Sequence, residues 1–398
     1  MKIFVGIKEY YDNTNISDDI VDKDIQSLFS PLNKMQLMFS PKYRFRNSVI
    51  VPNSFFENSI SFVGVLIVLC CSLYCVYVEN FFKGDLENHF SFLSFTVYYD
   101  CVYFCFGFTL FFTVELIYTK KSIKFVLIFQ KVHRFINNEI VFKLSKIWVW
   151  MSWILILVFY TLFFFSFCMT MNLPFTYIYS SHTLALFDLK VLYEIRIIKL
   201  LEQKVALWNV QALDTVELEE DQRKNVSKQL FQAYCNILDC YNIFKANHQL
   251  FIFYNIVEVF MHSLIYVQYT ITIMKTGVFF QNGDKTTFVA SSVPCWLLKN
   301  FILLTKLVQE CQKFYTTIQK VQDSCALILR TTHIVSQVNH YVNRRIYIFT
   351  EYERRLYKNV LRLHRASFHK ISVCGLFYVD AALQLSLTSL LTIRYFIK

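Results

Sequence analysis

Glycine and proline are scarce in this 398-residue chain, at 7 and 5. So few turn-formers argue against sandwiches, barrels and Gly-rich phosphate loops, and they suit long uninterrupted helices. Charge is scarce as well, at 17% of residues. The 12 cysteines contain no CxxC pair and no Cys/His ligand spacing, so neither a zinc site nor a disulfide framework is expected. Cys70, Cys71, Cys75, Cys101, Cys105 and Cys168 fall in apolar segments, where thiols behave as small hydrophobes. No Ser/His/Asp, metal or nucleotide pattern lies on a plausible common surface, so neither an enzyme nor a cofactor is expected. Residues 1–58 are polar and mixed in charge, which predicts no cleavable signal peptide and a first spanning helix that acts as signal anchor.

What the chain has in excess is apolar surface: 55% hydrophobic and 18% aromatic residues. With a mean hydropathy of +0.37, it belongs with polytopic membrane proteins. Seven spans are predicted, at residues 60–78, 90–116, two within 147–187, 246–274, 286–308 and 371–393. The uncharged run 147–187 is about twice one span, and Asn172-Leu173-Pro174 divides it near the middle. The fold class is therefore all-α. It divides into an N-terminal segment (1–58), helices 1 to 6 (59–311), and an amphipathic helix followed by the seventh span (312–398).

The net charge of +11 admits a nucleic-acid partner until its distribution is read. Residues 1–59, 120–146, 190–248 and 299–370 hold 35 of the 40 Lys and Arg. Positive loops stay in the cytosol, so the N-terminus is expected inside, the C-terminus outside, and no nucleic acid is implied. Two inner segments read as amphipathic helices that extend the bundle into an anchor region. One stripe is Leu230, Tyr234, Ile237, Leu238, Tyr241 and Phe244, running into the fifth span. The other is Tyr352, Leu356, Val360, Leu363 and Ile371, on a basic helix suited to helical assembly or to anionic headgroups. Residues 214–228 read as a loop.

The run Cys374-Gly375-Leu376-Phe377-Tyr378-Val379-Asp380, followed by an apolar helix ending in an aromatic, resembles the insect gustatory receptors. Their last helix closes with Thr-Tyr, five hydrophobic residues and Gln-Phe. Thr388 and Phe396 match that pattern, Ser389 and Tyr395 depart from it, and Arg394 interrupts the hydrophobic stretch, as in a divergent member. The resemblance covers about 25 residues in motif and most of the chain in architecture. It implies a tetrameric, ligand-gated, nonselective cation channel. It also implies a small-molecule tastant, co-assembly with itself or with related receptors, and the plasma membrane of sensory neurons (dendrite, axon and cell body). Glu after Thr-Tyr marks the sugar-sensing branch; Ser389-Leu390 lacks it, which favours a bitter-type or orphan ligand.

On that reading Gly375 is the hinge into the pore helix. Thr388, Ser389 and Thr392 offer hydroxyls to hydrated ions, Tyr395 and Phe396 form an aromatic gate, and Asp380 concentrates cations at the inner mouth. The same residues also suit packing against protein or lipid. Tyr99, Asp100, Tyr103, Tyr177, His182, His262, Tyr266 and Tyr269 all fall in outer halves of spans, as a ligand pocket or as an interfacial aromatic belt. The rival functions are a G-protein-coupled receptor, an odorant-receptor-type subunit of the same channel superfamily, and a transporter. The G-protein reading lacks its Asp/Glu-Arg-Tyr and Asn-Pro-x-x-Tyr motifs, and the transporter lacks internal repeats.

Overall fold

The computed structural model describes residues 20–36, 43–46, 48–83, 91–137, 139–172, 178, 183–215, 218–275, 283–338, 351–373, 375–386 and 389. The helices are α1 (Lys23–Gln36), α2 (Phe55–Lys83), α3 (Ser91–Phe135), α4 (Glu139–Met171), α5 (Ala185–Asp214), α6 (Glu220–Lys275), α7 (Gly283–Val338) and α8 (Glu351–Ser367). Two small antiparallel hairpins accompany them: β1 (Arg44–Arg46) with β2 (Val49–Val51), and β3 (Ser372–Val373) with β4 (Phe377–Tyr378).

Among the described residues, four stretches are long and apolar enough to cross a bilayer: Phe55–Tyr74, Tyr98–Phe135, Lys146–Thr170 and Glu220–Gln268. In the first three, only 17%, 28% and 22% of the apolar window is buried. Apolar helices this exposed need hydrocarbon as their solvent. On α4 the outward residues Met151, Leu155, Val158, Leu162, Phe165 and Met169 form one stripe at helical spacing. This is an all-α membrane protein.

α5, α6 and α7 pack against one another at the centre; α3 lies along α6, α2 along α3, and α4 along α5. α4 ends where the sequence predicts, with Asn172 in the left-handed conformation at φ 55°. The next long helix among the described residues is α5, from Ala185, and it carries charge into the bundle. Asp188, Lys190 and Glu194 are all buried on α5. Asp188 is level with Tyr160, deep in the apolar stretch of α4, and Lys190 is level with Glu115 of α3. The fourth predicted segment falls largely on residues outside the described ones, and α5 is not among the four apolar stretches. The sixth segment lies in α7, a 56-residue helix that holds Pro294 and is not among the four apolar stretches.

The segments expected on the cytosolic side differ from the sequence reading in three places. Residues 220–228 do not form a loop, because α6 begins at Glu220. The reason is Arg223, 1% exposed, whose Nε donates to Glu353 Oε1 at 2.9 Å. Second, α8 is rotated from the expected stripe. Glu353, Tyr357, Val360 and His364 face inward, while Tyr352 is 41% exposed. Polar residues take the inner face because α6 and α5 offer them partners: Arg223 for Glu353, Tyr234 OH for His364 Nδ1 at 2.6 Å, and Thr215 for Tyr357 at 2.9 Å. Leu230, Tyr234 and Tyr241 are therefore covered by this chain's own helices, and they are not free stripes awaiting another subunit.

Third, the last apolar helix does not start at residue 371. Residues 372–378 form the β3–β4 hairpin, with Gly375 at φ +74° in its turn. A Cβ at Gly375 would meet nothing within 4 Å, so the backbone conformation alone demands glycine there. Tyr315 OH accepts from the Ile371 amide at 3.1 Å, and Tyr241 OH donates to the His369 carbonyl at 2.9 Å, pinning the chain in extended form. Asp380 then caps the helical residues 381–386, accepting from the Ala382 amide at 3.2 Å.

Burial, with Arg365 nearby, holds the His364 imidazole down to about 4. The fold therefore keeps His364 neutral, as an acceptor for Tyr234, while the unfolded chain protonates near the ordinary histidine value of about 6.5. A depressed histidine contributes stability that is complete above about 6.5 and declines as the pH falls toward about 4. Thermal unfolding of the detergent-solubilised protein should drop between about pH 7 and pH 5. His364→Gln should flatten that dependence; an unchanged pH slope refutes this role for His364.

Candidate functional site

Five of the residues predicted to form a pocket meet between α3 and α6. Asp100 is at the centre. Tyr266 OH donates to Asp100 Oδ2 at 2.7 Å, and His262 Nε2 lies 3.0 Å from Asp100 Oδ1. That second contact is close enough for an ion pair, although the two atoms are not aligned as a directed hydrogen bond. His262 Nδ1 donates to the Glu258 carbonyl one turn earlier, at 3.0 Å. A carbonyl only accepts, so Nδ1 carries a proton, and Nε2 can donate to Asp100 only as imidazolium. His262 is fully buried, with the rings of Tyr103, Tyr99, Phe104 and Tyr266 at centroid distances of 5.4–5.6 Å.

The aromatic wall is locked to α6 from the other side. Tyr103 and Tyr254 stack at 4.7 Å, and each hydroxyl donates to the other's backbone carbonyl, at 2.9 and 3.1 Å. The helices can approach this closely because Gly107 faces Tyr254. A Cβ there would lie 2.3 Å from the Tyr254 hydroxyl and 2.8 Å from the Phe187 ring. Phe187 in turn brings α5 against the same wall, stacking on Tyr254 at 5.6 Å.

A second polar cluster joins α4, α5 and α7. Lys299 Nζ donates to Asp188 Oδ2 at 2.6 Å and to Tyr160 OH at 3.1 Å, and it lies 3.9 Å above the Trp296 ring. Tyr160 OH also donates to Asp188 Oδ2, at 3.0 Å. Glu258, 8% exposed, is within electrostatic range of both clusters: His262 and Asp100 on one side, Lys299 and Asp188 on the other. Two carboxylates and a histidine within aromatic walls suit a small molecule with an aromatic body and a polar or cationic end.

Of the remaining sequence candidates, most are not among the described residues. Tyr177, His182, Thr388, Thr392, Tyr395 and Phe396 lie outside the described residues, as does the side chain of Tyr269. Asp380 does not stand bare inside a helix. Its Oδ2 is 3.1 Å from Lys370 Nζ, so the carboxylate is paired with a cation at the start of the helical residues 381–386. Ser389 is exposed, and its hydroxyl donates to the Leu385 carbonyl at 2.7 Å. Sequence reading missed Tyr254, Phe187 and the Asp188–Lys299–Tyr160 cluster. The one local signal was the i, i+4 pair Glu258 and His262; opposite charges at equal depth on different helices are not readable along the chain.

No protein-family model matches the chain, and no curated protein matches it. What the structure defines is therefore a class: a helical membrane protein with a polar, aromatic-walled cluster between its helices.

Hydrogen bonds to a charged partner contribute about 1.5–3 kcal/mol. Tyr266→Phe and Asp100→Asn should each lower thermal stability, and the double variant should lose less than the sum of the two. Unfolding of all four proteins in one detergent measures the coupling; strict additivity would mean that the two side chains do not interact.

Proposed function

We propose that this chain is a chemosensory receptor of the gustatory-receptor type, a ligand-gated nonselective cation channel with a bitter-type or orphan ligand. The observation that carries this reading is the gathering of Tyr99, Asp100, Tyr103, His262 and Tyr266 between two apolar helices. In this reading seven helices cross the plasma membrane of a sensory neuron, with the N-terminus in the cytosol. Four subunits, alike or mixed with related receptors, place their last helices around one pore.

The coupling from ligand to pore follows from α6. It is one 56-residue helix that carries both the ligand cluster and Tyr241, the residue that holds the start of the β3–β4 hairpin. Residues 241 and 262 are separated by about 30 Å of helix. A ligand that takes Tyr266's place on Asp100 removes one of the bonds between α6 and α3, and a tilt of α6 about the Tyr103–Tyr254 contact moves the hairpin that leads into the last helix. Gly375 absorbs the change in direction, and the aromatics Tyr395 and Phe396 part to admit water and ions between Thr388, Ser389 and Thr392.

Topology is the first test, because it separates this reading from a G-protein-coupled receptor. Epitope tags should be silent at the N-terminus and labelled at the C-terminus of intact cells; surface labelling of the N-terminus reverses the assignment.

Currents from cells expressing the chain, screened with a compound panel, test the channel itself. Tyr266→Ala should raise the half-effective ligand concentration at normal surface expression. Phe396→Ala should raise current without ligand, about tenfold for each ~1.4 kcal/mol by which the closed state is weakened. Wild-type resting and evoked currents in both variants would remove ligand site and gate together.

A further inference from the structure

A groove between α1, α4 and α5 lies at the end of the apolar stretch of α4. Its walls are Leu28, Leu144, Trp148, Arg196, Lys199 and Gln203, with aliphatic packing behind them. Trp148 is two residues inside the stretch Lys146–Thr170, at the depth where tryptophan meets lipid headgroups. Ile147 and Met151 beside it are more than half exposed, and the outward stripe of α4 continues from them.

The groove is basic, and its basic groups are not used up. Arg196 donates through Nη2 to the Trp148 carbonyl at 3.2 Å and to Ser152 Oγ. Its Nε is buried and has no acceptor among the described residues. Lys199, one turn along α5, is half-buried on the same wall and makes no ion pair among the described residues. The carboxylate in electrostatic range of Arg196 is Glu310, already held by Lys313 at 3.0 Å and Lys306 at 3.3 Å. A guanidinium with a spare N–H, a nearby ammonium and apolar walls at headgroup depth suit a phosphodiester whose acyl chains run along α4.

We propose that this groove binds the headgroup of an anionic glycerophospholipid. On the charge asymmetry of the loops the site faces the cytosolic leaflet, where such lipids are concentrated. The site is distinct from the Asp100 cluster, and it does not depend on the channel reading. The lipid bridges α4 to α5 across Trp148 and Arg196, so it braces the outermost packed helix against the centre.

The test uses the purified full-length protein in detergent, titrated with phosphatidylserine or with phosphatidylcholine of the same acyl chains. Retained lipid is counted by native mass spectrometry. The wild type should hold phosphatidylserine in preference. Lys199→Gln should weaken that preference about fivefold, the share of one basic residue at an anionic surface, and Arg196→Gln by at least as much. Lys199→Gln carries the decision, since Arg196 also ties α5 to α4. Arg362→Gln, on the exposed face of α8, should leave retention unchanged. Equal retention of both lipids by the wild type, or an unaltered preference in Lys199→Gln, overturns the proposal. Displacement of the lipid by excess inorganic phosphate would make this a free-anion site and overturn it as well.

Discussion

Opposite charges carried into apolar helices decide which helices of this bundle can be neighbours. Lys190 meets Glu115 and Lys299 meets Asp188 as ion pairs, and His248 Nδ1 lies 3.1 Å from Glu194 Oε1, each contact joining two different helices at low exposure. An ionised group alone in hydrocarbon costs several kcal/mol, and removing one partner of a buried pair costs about 3–5 kcal/mol. Leu and Phe contacts tolerate a slip along the helix; these pairs do not. α5 supplies one partner to each pair, so it sets the register of α3, α6 and α7. The aromatic rings around Lys190 and Lys299 add cation–π contact where water is excluded.

The same rule governs the packing of α8, which polar groups join to its neighbours. α8 is held by Arg223–Glu353, Tyr234–His364 and Thr215–Tyr357, and behind it the β3–β4 hairpin is held by Tyr241 and Tyr315. Three of these anchors, Arg223, Tyr234 and Tyr241, lie on α6, which also carries Tyr254, Glu258, His262 and Tyr266. α6 therefore touches both the aromatic-walled cluster and the β3–β4 hairpin. Any signal between the two has a rigid helix to travel on, and hydrogen bonds to the hairpin at its end.

Much of this is readable along the chain where the cause is local. The stripe from Leu230 to Phe244 follows helical spacing, and those residues are buried on α6 as expected. Asn172 ends α4 because a short polar side chain tolerates the left-handed turn there. Tyr99, Asp100, Tyr103, His262 and Tyr266 group on outer positions of two helices in the sequence, and they do meet. Residues 371–380 read as helix from their apolar character, but Gly375 and two distant tyrosines hold them as a hairpin. An inward stripe on α8 runs through Tyr352 and Leu356 only if apolar residues face the bundle. Glu353 and His364 take that face instead, since the neighbouring surface is itself polar.

By itself, the sequence determined the class: scarce glycine, proline and charge, together with long apolar runs, leave little but helices in a bilayer, because both propensity and hydrophobicity are properties of neighbouring residues. Only the tertiary structure decided which charges are neutralised and which face of each amphipathic helix is inner. Asp188 finds Lys299 at a separation of 111 residues, and Glu353 finds Arg223 at 130. The free energy of a buried charge depends on the partner across the gap, and that partner is set by how the helices pack and not by spacing along the chain.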